Sequence, residues 1–178
     1  AAIADASLVI GTSSARKRDV RQEVKRLEKG SVEIRQHLHN GRVAILFGSE
    51  KFGLSNEDLG YCHWLMRIPT GGSIPSMNLG QAVAVTLYEL IREAPDLVAT
   101  TSKSAPVTAG LLDTLTERVN EALEISGYVH TEHVGEKVRR LLRRMQLQEP
   151  DAVMWLGMFR QILWKLKKEN ESNDQGRD

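Results

Sequence analysis

Three segments of this sequence gather small polar residues between glycines and short apolar runs, a composition that lets a backbone wrap closely around a ligand. They are Gly11-Thr12-Ser13-Ser14-Ala15-Arg16, then Gly48-Ser49-Glu50-Lys51-Phe52-Gly53-Leu54, then residues 69–78, which close on Ser76-Met77-Asn78. Glycines 11, 48 and 53 permit positive φ and close backbone approach. Such loops suit a nucleoside-like ligand held mainly by main-chain groups. Each loop alone also fits an ordinary turn. Glu50 is a carboxylate that elsewhere would be a solvated loop residue. Asn78 precedes a helical pattern, where asparagine is a favoured cap, and a cap can also serve a site.

These loops need a frame. Residues 7–10, 43–47 and 64–68 are apolar, β-branched or aromatic runs that read as buried strands. Val20, Val24 and Leu27 stand at helical spacing before Gly30, and a second helical stretch around Ile34 and Leu38 ends at Asn40-Gly41. Ser55 with an acid three residues on marks a short capped helix. Beyond Asn78, Ala82, Val83, Leu87, Leu90 and Ile91 trace a long helix to about Glu93. Strands alternating with helices imply a mostly parallel sheet, with ligands bound beyond the carboxyl ends of its strands.

Residues 1–94 form this α/β part. Residues 95–109, with two prolines and many Ser/Thr, read as a linker. Residues 110–168 switch to helical periodicity: Leu111, Leu115, Val119 and Leu123; Val134, Val138, Leu141, Leu142 and Met145; then, after Pro150, Phe159, Ile162, Leu163 and Leu166. A small all-helical extension is expected there, and a disordered polar tail over residues 169–178.

With 24 Lys+Arg against 23 Asp+Glu in 178 residues, the net charge of +1 excludes a uniformly basic nucleic-acid binder, but not local patches. Two runs qualify. One holds Arg16, Lys17, Arg18, Arg21, Lys25, Arg26 and Lys29; the other holds Lys137, Arg139, Arg140, Arg143 and Arg144. On a helix the pairs 139/143 and 140/144 fall one turn apart, giving a basic ridge of the kind phosphate binding uses, or simply a solvated face. The single cysteine, Cys62, rules out an internal disulfide framework and fits a reducing, cytoplasmic setting. Beside His63 it reads as core packing rather than a nucleophile. Histidines 37, 39, 63, 130 and 133 lack the partners of a zinc set and read as surface or capping residues, so no metal is expected. Trp155, Phe159 and Trp164 read as core or dimer contacts. No apolar run approaches the ~20 residues that span a membrane.

Taken together and in order, the motifs are more specific. Phe47-Gly-Ser-Glu-x-x-Gly-Leu, then Ile68-Pro69, then Ser76-Met77-Asn78-Leu79 leading into an Ala/Val-rich helix, resembles the SpoU (TrmH-like) branch of the SPOUT RNA methyltransferases. Val9-Ile10-Gly11-Thr12-Ser13-Ser14-Ala15-Arg16, with a helical tail after a linker, resembles the subgroup containing the TrmJ tRNA 2′-O-methyltransferases. The resemblance implies an α/β fold whose carboxy-terminal part threads a trefoil knot, an exception to the rule against knots. It implies S-adenosylmethionine held by Thr12, Ser13, Ser14, Gly48, Ile68, Ser76, Met77 and Leu79, without a metal. It places Glu50, Ser76 and Asn78 at the reacting centre. Arg16, Arg18, Arg139, Arg140, Arg143 and Arg144 become candidates for contact with RNA, most readily tRNA and its anticodon loop, with rRNA as the alternative.

A homodimer is also implied, with the helix after Asn78 among its contacts; Ala82, Val83, Val85 and Leu87 give that helix more apolar surface than one buried face requires. An earlier family motif supplies an asparagine and an arginine, the latter acting on the ribose hydroxyl. It would lie before Ala1, so a missing amino-terminal portion, by truncation or natural loss, is expected, and with it little methylation by this chain alone. A non-catalytic RNA-binding or dimerisation fragment, and a nucleotide-binding α/β enzyme of another class, remain alternatives.

Overall fold

The computed structural model describes residues 2–14, 22–71, 77–92, 105–128 and 134–175. Its centre is a four-stranded parallel sheet in the order β2-β4-β1-β3, built from β1 (Leu8–Thr12), β2 (Val24–Arg26), β3 (Val43–Leu46) and β4 (Trp64–Arg67). Ile10 lies opposite both Ile45 and Trp64, and Val24 opposite Leu65. All pairings are parallel, so every strand ends at the same edge.

Alternation along β1 and β4 divides the core between two faces. Leu8, Ile10, Trp64 and Met66 join Leu27 and Ile34 on one face, while Val9 and Leu65 join Ala6, Leu54, Leu59, Cys62 and Ala109 on the other. Both faces are covered, which is why these strands read as unbroken apolar runs. Full burial of Val9, Ile10, Leu65 and Met66 contributes about 1.5–3 kcal/mol per side chain.

Helix α1 (Leu27–Leu38) and α3 (Leu79–Arg92) lie together, with Arg35 donating to the Glu89 carbonyl (3.0 Å). The short α2 (Asn56–Gly60) opens on the expected capping box: the Ser55 hydroxyl accepts from Asp58 N–H, and the Asp58 carboxylate accepts from Ser55 N–H.

The segment before β3 departs from the sequence expectation. No helix runs through residues 24–27 to end at Gly30. Instead Val24 enters the sheet and α1 begins at Leu27, with Gly30 inside it. A Cβ on Gly30 would sit 2.8 Å from Trp64 Cη2, so this glycine lets the helix lie against the tryptophan. Residue 20 lies outside the described residues.

The carboxy-terminal helices are α4 (Ala109–Ile125), α5 (Val134–Arg144) and α6 (Glu149–Gln175). They are docked, not loosely tethered. Ala109 and Gly110 N–H donate to the carbonyls of Ala6 (2.7 Å) and Ala4 (2.8 Å), and Thr108 caps α4. Pro106 bridges Gln148, and Val107 is buried with Leu112 and Ala152, so the end of the expected linker is packed. Residues 93–104 lie outside the described residues. Helix α6 continues to Gln175, through most of the stretch expected to be disordered. No glycine or proline interrupts it between Gly157 and Gly176, so nothing local ends the helix.

Candidate functional site

At the carboxyl edge of the sheet, the first loop starts by tying neighbouring strands. The Thr12 hydroxyl donates to the Leu46 carbonyl (3.1 Å), and Ser13 N–H donates to the Met66 carbonyl (3.0 Å). Ser14 follows, exposed. The second loop is a closed turn: Gly53 N–H donates to the Ser49 carbonyl (2.8 Å), and Phe52 N–H to the Ser49 hydroxyl (3.2 Å).

Of the three loop glycines only Gly53 has positive φ (71°). A Cβ on Gly48 would lie 2.1 Å from the Gly53 carbonyl carbon, and one on Gly11 would lie 2.8 Å from Cys62 Sγ. The first need for glycine at 11 and 48 is therefore the chain's own packing, where the sequence points to conformational freedom and a ligand.

Glu50 and Asn78, twenty-eight residues apart, meet. Asn78 Nδ2 donates to Glu50 Oε1 (2.7 Å), and the same oxygen accepts from Leu79 N–H (3.1 Å). Asn78 Oδ1 in turn accepts from Gly80 N–H (2.9 Å) and Gln81 N–H (3.4 Å). Asn78 thus caps α3, and Glu50 places its carboxylate at the positive end of that helix. The cap and the site are one arrangement: the second loop is clasped to the start of α3 through side chains that remain exposed. A carboxylate fixed at a helix N-terminus can hold a donor without moving.

Around the clasp, Ile68 packs against the Trp64–Met66 core while remaining partly accessible, Met77 is half-buried, and Leu79 is exposed. Ser76, with residues 72–75, lies outside the described residues. So do Arg16 and Arg18, and His130 and His133.

The second basic run does not form one ridge. Arg144 and Lys137 are exposed, and Arg140 pairs with Glu136 (2.9 Å). Arg139 lies over the Tyr61 ring, 4.4 Å from its centroid. Arg143 is 1 % exposed; its Nη2 meets Asp113 Oδ1 at 2.6 Å and donates to the Ala109 carbonyl at 3.3 Å. This corrects the expectation for Arg143: it joins α5 to α4 and presents nothing to a phosphate. Burial lowers its pKa and the Asp113 charge raises it.

Arg143 also acts on Cys62 and His63. Burial pushes the Cys62 thiol up to about 12, with Arg143 opposing, so the thiol is inert and packs as expected. His63 is buried, contrary to the surface reading. Its Nδ1 accepts from Val9 N–H (3.0 Å), and burial followed by the Arg143 charge lowers its pKa to about 4. Trp155 and Phe159 are partly buried and stack on each other (centroids 5.9 Å apart), while Trp164 is exposed with Lys168 over its ring. Among the described residues, no group of His, Cys, Asp and Glu converges as a metal site, and no helix is long and apolar enough to cross a membrane.

This frame of a parallel sheet with a Glu–Asn clasp at its carboxyl edge has relatives. Residues 5–88 match the SpoU rRNA Methylase family. A Haemophilus influenzae protein described as an uncharacterized tRNA/rRNA methyltransferase is 31% identical over 180 residues, covering 97% of this chain and 72% of that protein. The tRNA (cytidine/uridine-2'-O-)-methyltransferase TrmJ of Photorhabdus laumondii is 34% identical over 172 residues, covering 94% and 70%. The crystal structure of TrmJ from Z. mobilis ZM4 superposes with a TM-score of 0.77 at 25% identity, covering 90% of this chain and 69% of that one. The chain belongs to the SpoU methylase family of the SPOUT superfamily, a family of RNA methyltransferases, and its named relatives here are TrmJ enzymes.

Proposed function

We propose that this chain is the S-adenosylmethionine- and RNA-binding part of an enzyme that methylates a ribose 2′-oxygen of tRNA, in the anticodon loop. The observation that carries the reading is the Glu50–Asn78–Leu79 clasp at the carboxyl edge of the sheet, in a chain whose relatives include tRNA 2′-O-methyltransferases. The residues present fit the cofactor. Ile68, Met77 and Leu79 leave accessible apolar surface beside the polar start of α3, which suits an adenine face, and the backbone of the three loops can read its edge. Thr12, Ser13, Ser14, Gly48, Ile68, Ser76, Met77 and Leu79 are assigned to that role. When bound, S-adenosylmethionine supplies a methyl group already activated on a sulfonium, so no metal is required for activation.

Glu50, Asn78 and Ser76 are assigned to the reacting centre. The clasp fixes the second loop against α3, and orientation of this kind lowers the barrier of a displacement. A ribose hydroxyl must also lose its proton as it attacks, and a well-placed acceptor contributes roughly 10²–10⁴ in rate. Residues 1–94 are assigned to the carboxy-terminal part of the methyltransferase unit, which threads a trefoil knot. Helices α4–α6 are assigned to tRNA binding through Arg139, Arg140 and Arg144, with Arg16 and Arg18 serving the first loop.

The protein is assigned as a homodimer, supported by the exposed apolar flank of α3, where Leu87, Tyr88 and Ile91 are more than half exposed. Incubation with labelled S-adenosylmethionine and either tRNA or rRNA, for the chain and for a version extended upstream of Ala1, followed by nucleoside mass spectrometry, tests the reading. It expects 2′-O-methylation of an anticodon-loop nucleotide. Methylation of a base, or of rRNA alone, would overturn it.

A further inference from the structure

The turn that carries Glu50 also carries Phe52 at its tip. Phe52 is 71 % exposed, among the most exposed large apolar side chains described. The turn does not need the ring to keep its shape. It is closed by the Gly53–Ser49 and Phe52–Ser49 hydrogen bonds through main-chain groups and the serine hydroxyl, and Gly48 is pressed against Gly53 and Leu54. The tip is therefore held while an aromatic face is presented to solvent. Lys51 Nζ lies 5.1 Å from the ring centroid, placing a cation beside that face.

An aromatic ring beside a cation, on a fixed turn two residues from Glu50, is the arrangement that receives an unpaired base and its phosphate. A second copy of the chain is the less favoured occupant, because an adjoining lysine charge disfavours an apolar contact while it attracts a polyanion.

We propose that Phe52, with Lys51, is a stacking platform for one unpaired nucleobase of the RNA substrate, positioning the ribose that is to be methylated. The proposal rests on the RNA methyltransferase reading above and adds to it a residue that positions the nucleotide.

The test measures binding of an anticodon stem-loop RNA by fluorescence anisotropy for the full chain, Phe52→Ala and Phe52→Trp. Phe52→Ala should weaken binding about 10-fold, the scale of one base–aromatic stack. Phe52→Trp should restore it and add tryptophan emission that is quenched when RNA binds. S-adenosylhomocysteine affinity and sedimentation should match the parent. Unchanged RNA affinity in Phe52→Ala, with the parent binding normally, overturns the platform alone. A change in oligomeric state in Phe52→Ala assigns the ring to a protein contact and also overturns it. A parent that binds no RNA defeats the underlying reading, and the platform with it.

Discussion

Two carboxylates in this molecule each hold a nitrogen partner at close range, and they do opposite work. Glu50 meets Asn78 at 2.7 Å and Asp113 meets Arg143 at 2.6 Å. The first contact is exposed, joins a loop to a helix start, and leaves its groups within reach of a ligand. The second holds a guanidinium that is almost wholly out of water, with Nε and Nη1 buried and without a hydrogen-bond partner among the described residues. Exposure, more than charge, separates a site from a fastening. Breaking a buried pair leaves an uncompensated charge, whereas replacing both partners by well-packed apolar side chains is often harmless.

The buried contact should therefore show the largest effect on stability. Asp113→Ala should lower unfolding free energy by about 3–5 kcal/mol, read by urea denaturation, and leave S-adenosylhomocysteine affinity unchanged. Arg143→Met combined with Asp113→Leu removes both charges and should stay within about 1 kcal/mol of the parent or exceed it. A large loss in the double variant would mean that the ion pair itself is needed.

Next comes acid sensitivity on the same buried side. His63 has its pKa lowered to about 4 by burial, from an ordinary 6.5. Between those values the unfolded chain binds the proton and the folded chain does not, so stability is present above pH 6.5 and falls as the pH drops toward 4. The shift corresponds to about 3 kcal/mol. His37, whose pKa burial also lowers, adds to the same slope. Denaturation at pH 7 and pH 4.5 should show most of this loss in the parent and much less in His63→Gln. Equal losses would remove His63 as the cause.

On the exposed side the effects divide differently. Asn78→Ala removes a helix cap, worth about 1 kcal/mol of stability. Yet it removes one of the two hydrogen bonds that hold Glu50 at the start of α3, and a misplacement of about 1 Å costs about 10²-fold in methyl transfer. A fall in transfer no larger than the loss of folded protein would reduce Asn78 to a cap. The smallest effect belongs to the divided basic run. Arg144→Ala should flatten the salt dependence of tRNA binding by about one unit of slope, while Arg143→Met should leave it unchanged. Coinciding slopes for Arg144→Ala and the parent would return Arg144 to a solvated face.

What the sequence shows of this depends on how far away each answer lies. Residues 43–46 and 64–66 read as strands because they are unbroken apolar runs, and 64–66 are buried on both faces of the sheet. The Ser55 box is legible because its partner, Asp58, is three residues away. Gly30 is not legible, since its role is set by Trp64, which arrives in a later strand. Gly48 stands out in the sequence, but it lacks the positive φ expected of it, and the backbone it must clear belongs to its own turn. Arg143 stands one helical turn from Arg139, and only the packing of α4 decides that one faces inward while the other lies on Tyr61. The motif order locates Glu50 and Asn78, but not that a single carboxylate oxygen accepts from both Asn78 Nδ2 and Leu79 N–H.

The central claim is that the loops at the carboxyl edge form the cofactor site and that the buried Arg143–Asp113 contact plays no part in it. Hydrogen–deuterium exchange, with and without saturating S-adenosylhomocysteine, tests it directly. Exchange should slow at Thr12, Ser13 and Ser14, at Gly48, and at Met77, Asn78 and Leu79, with α4 and α5 unchanged. Protection confined to α4 and α5, or none in the three loops, would contradict the account.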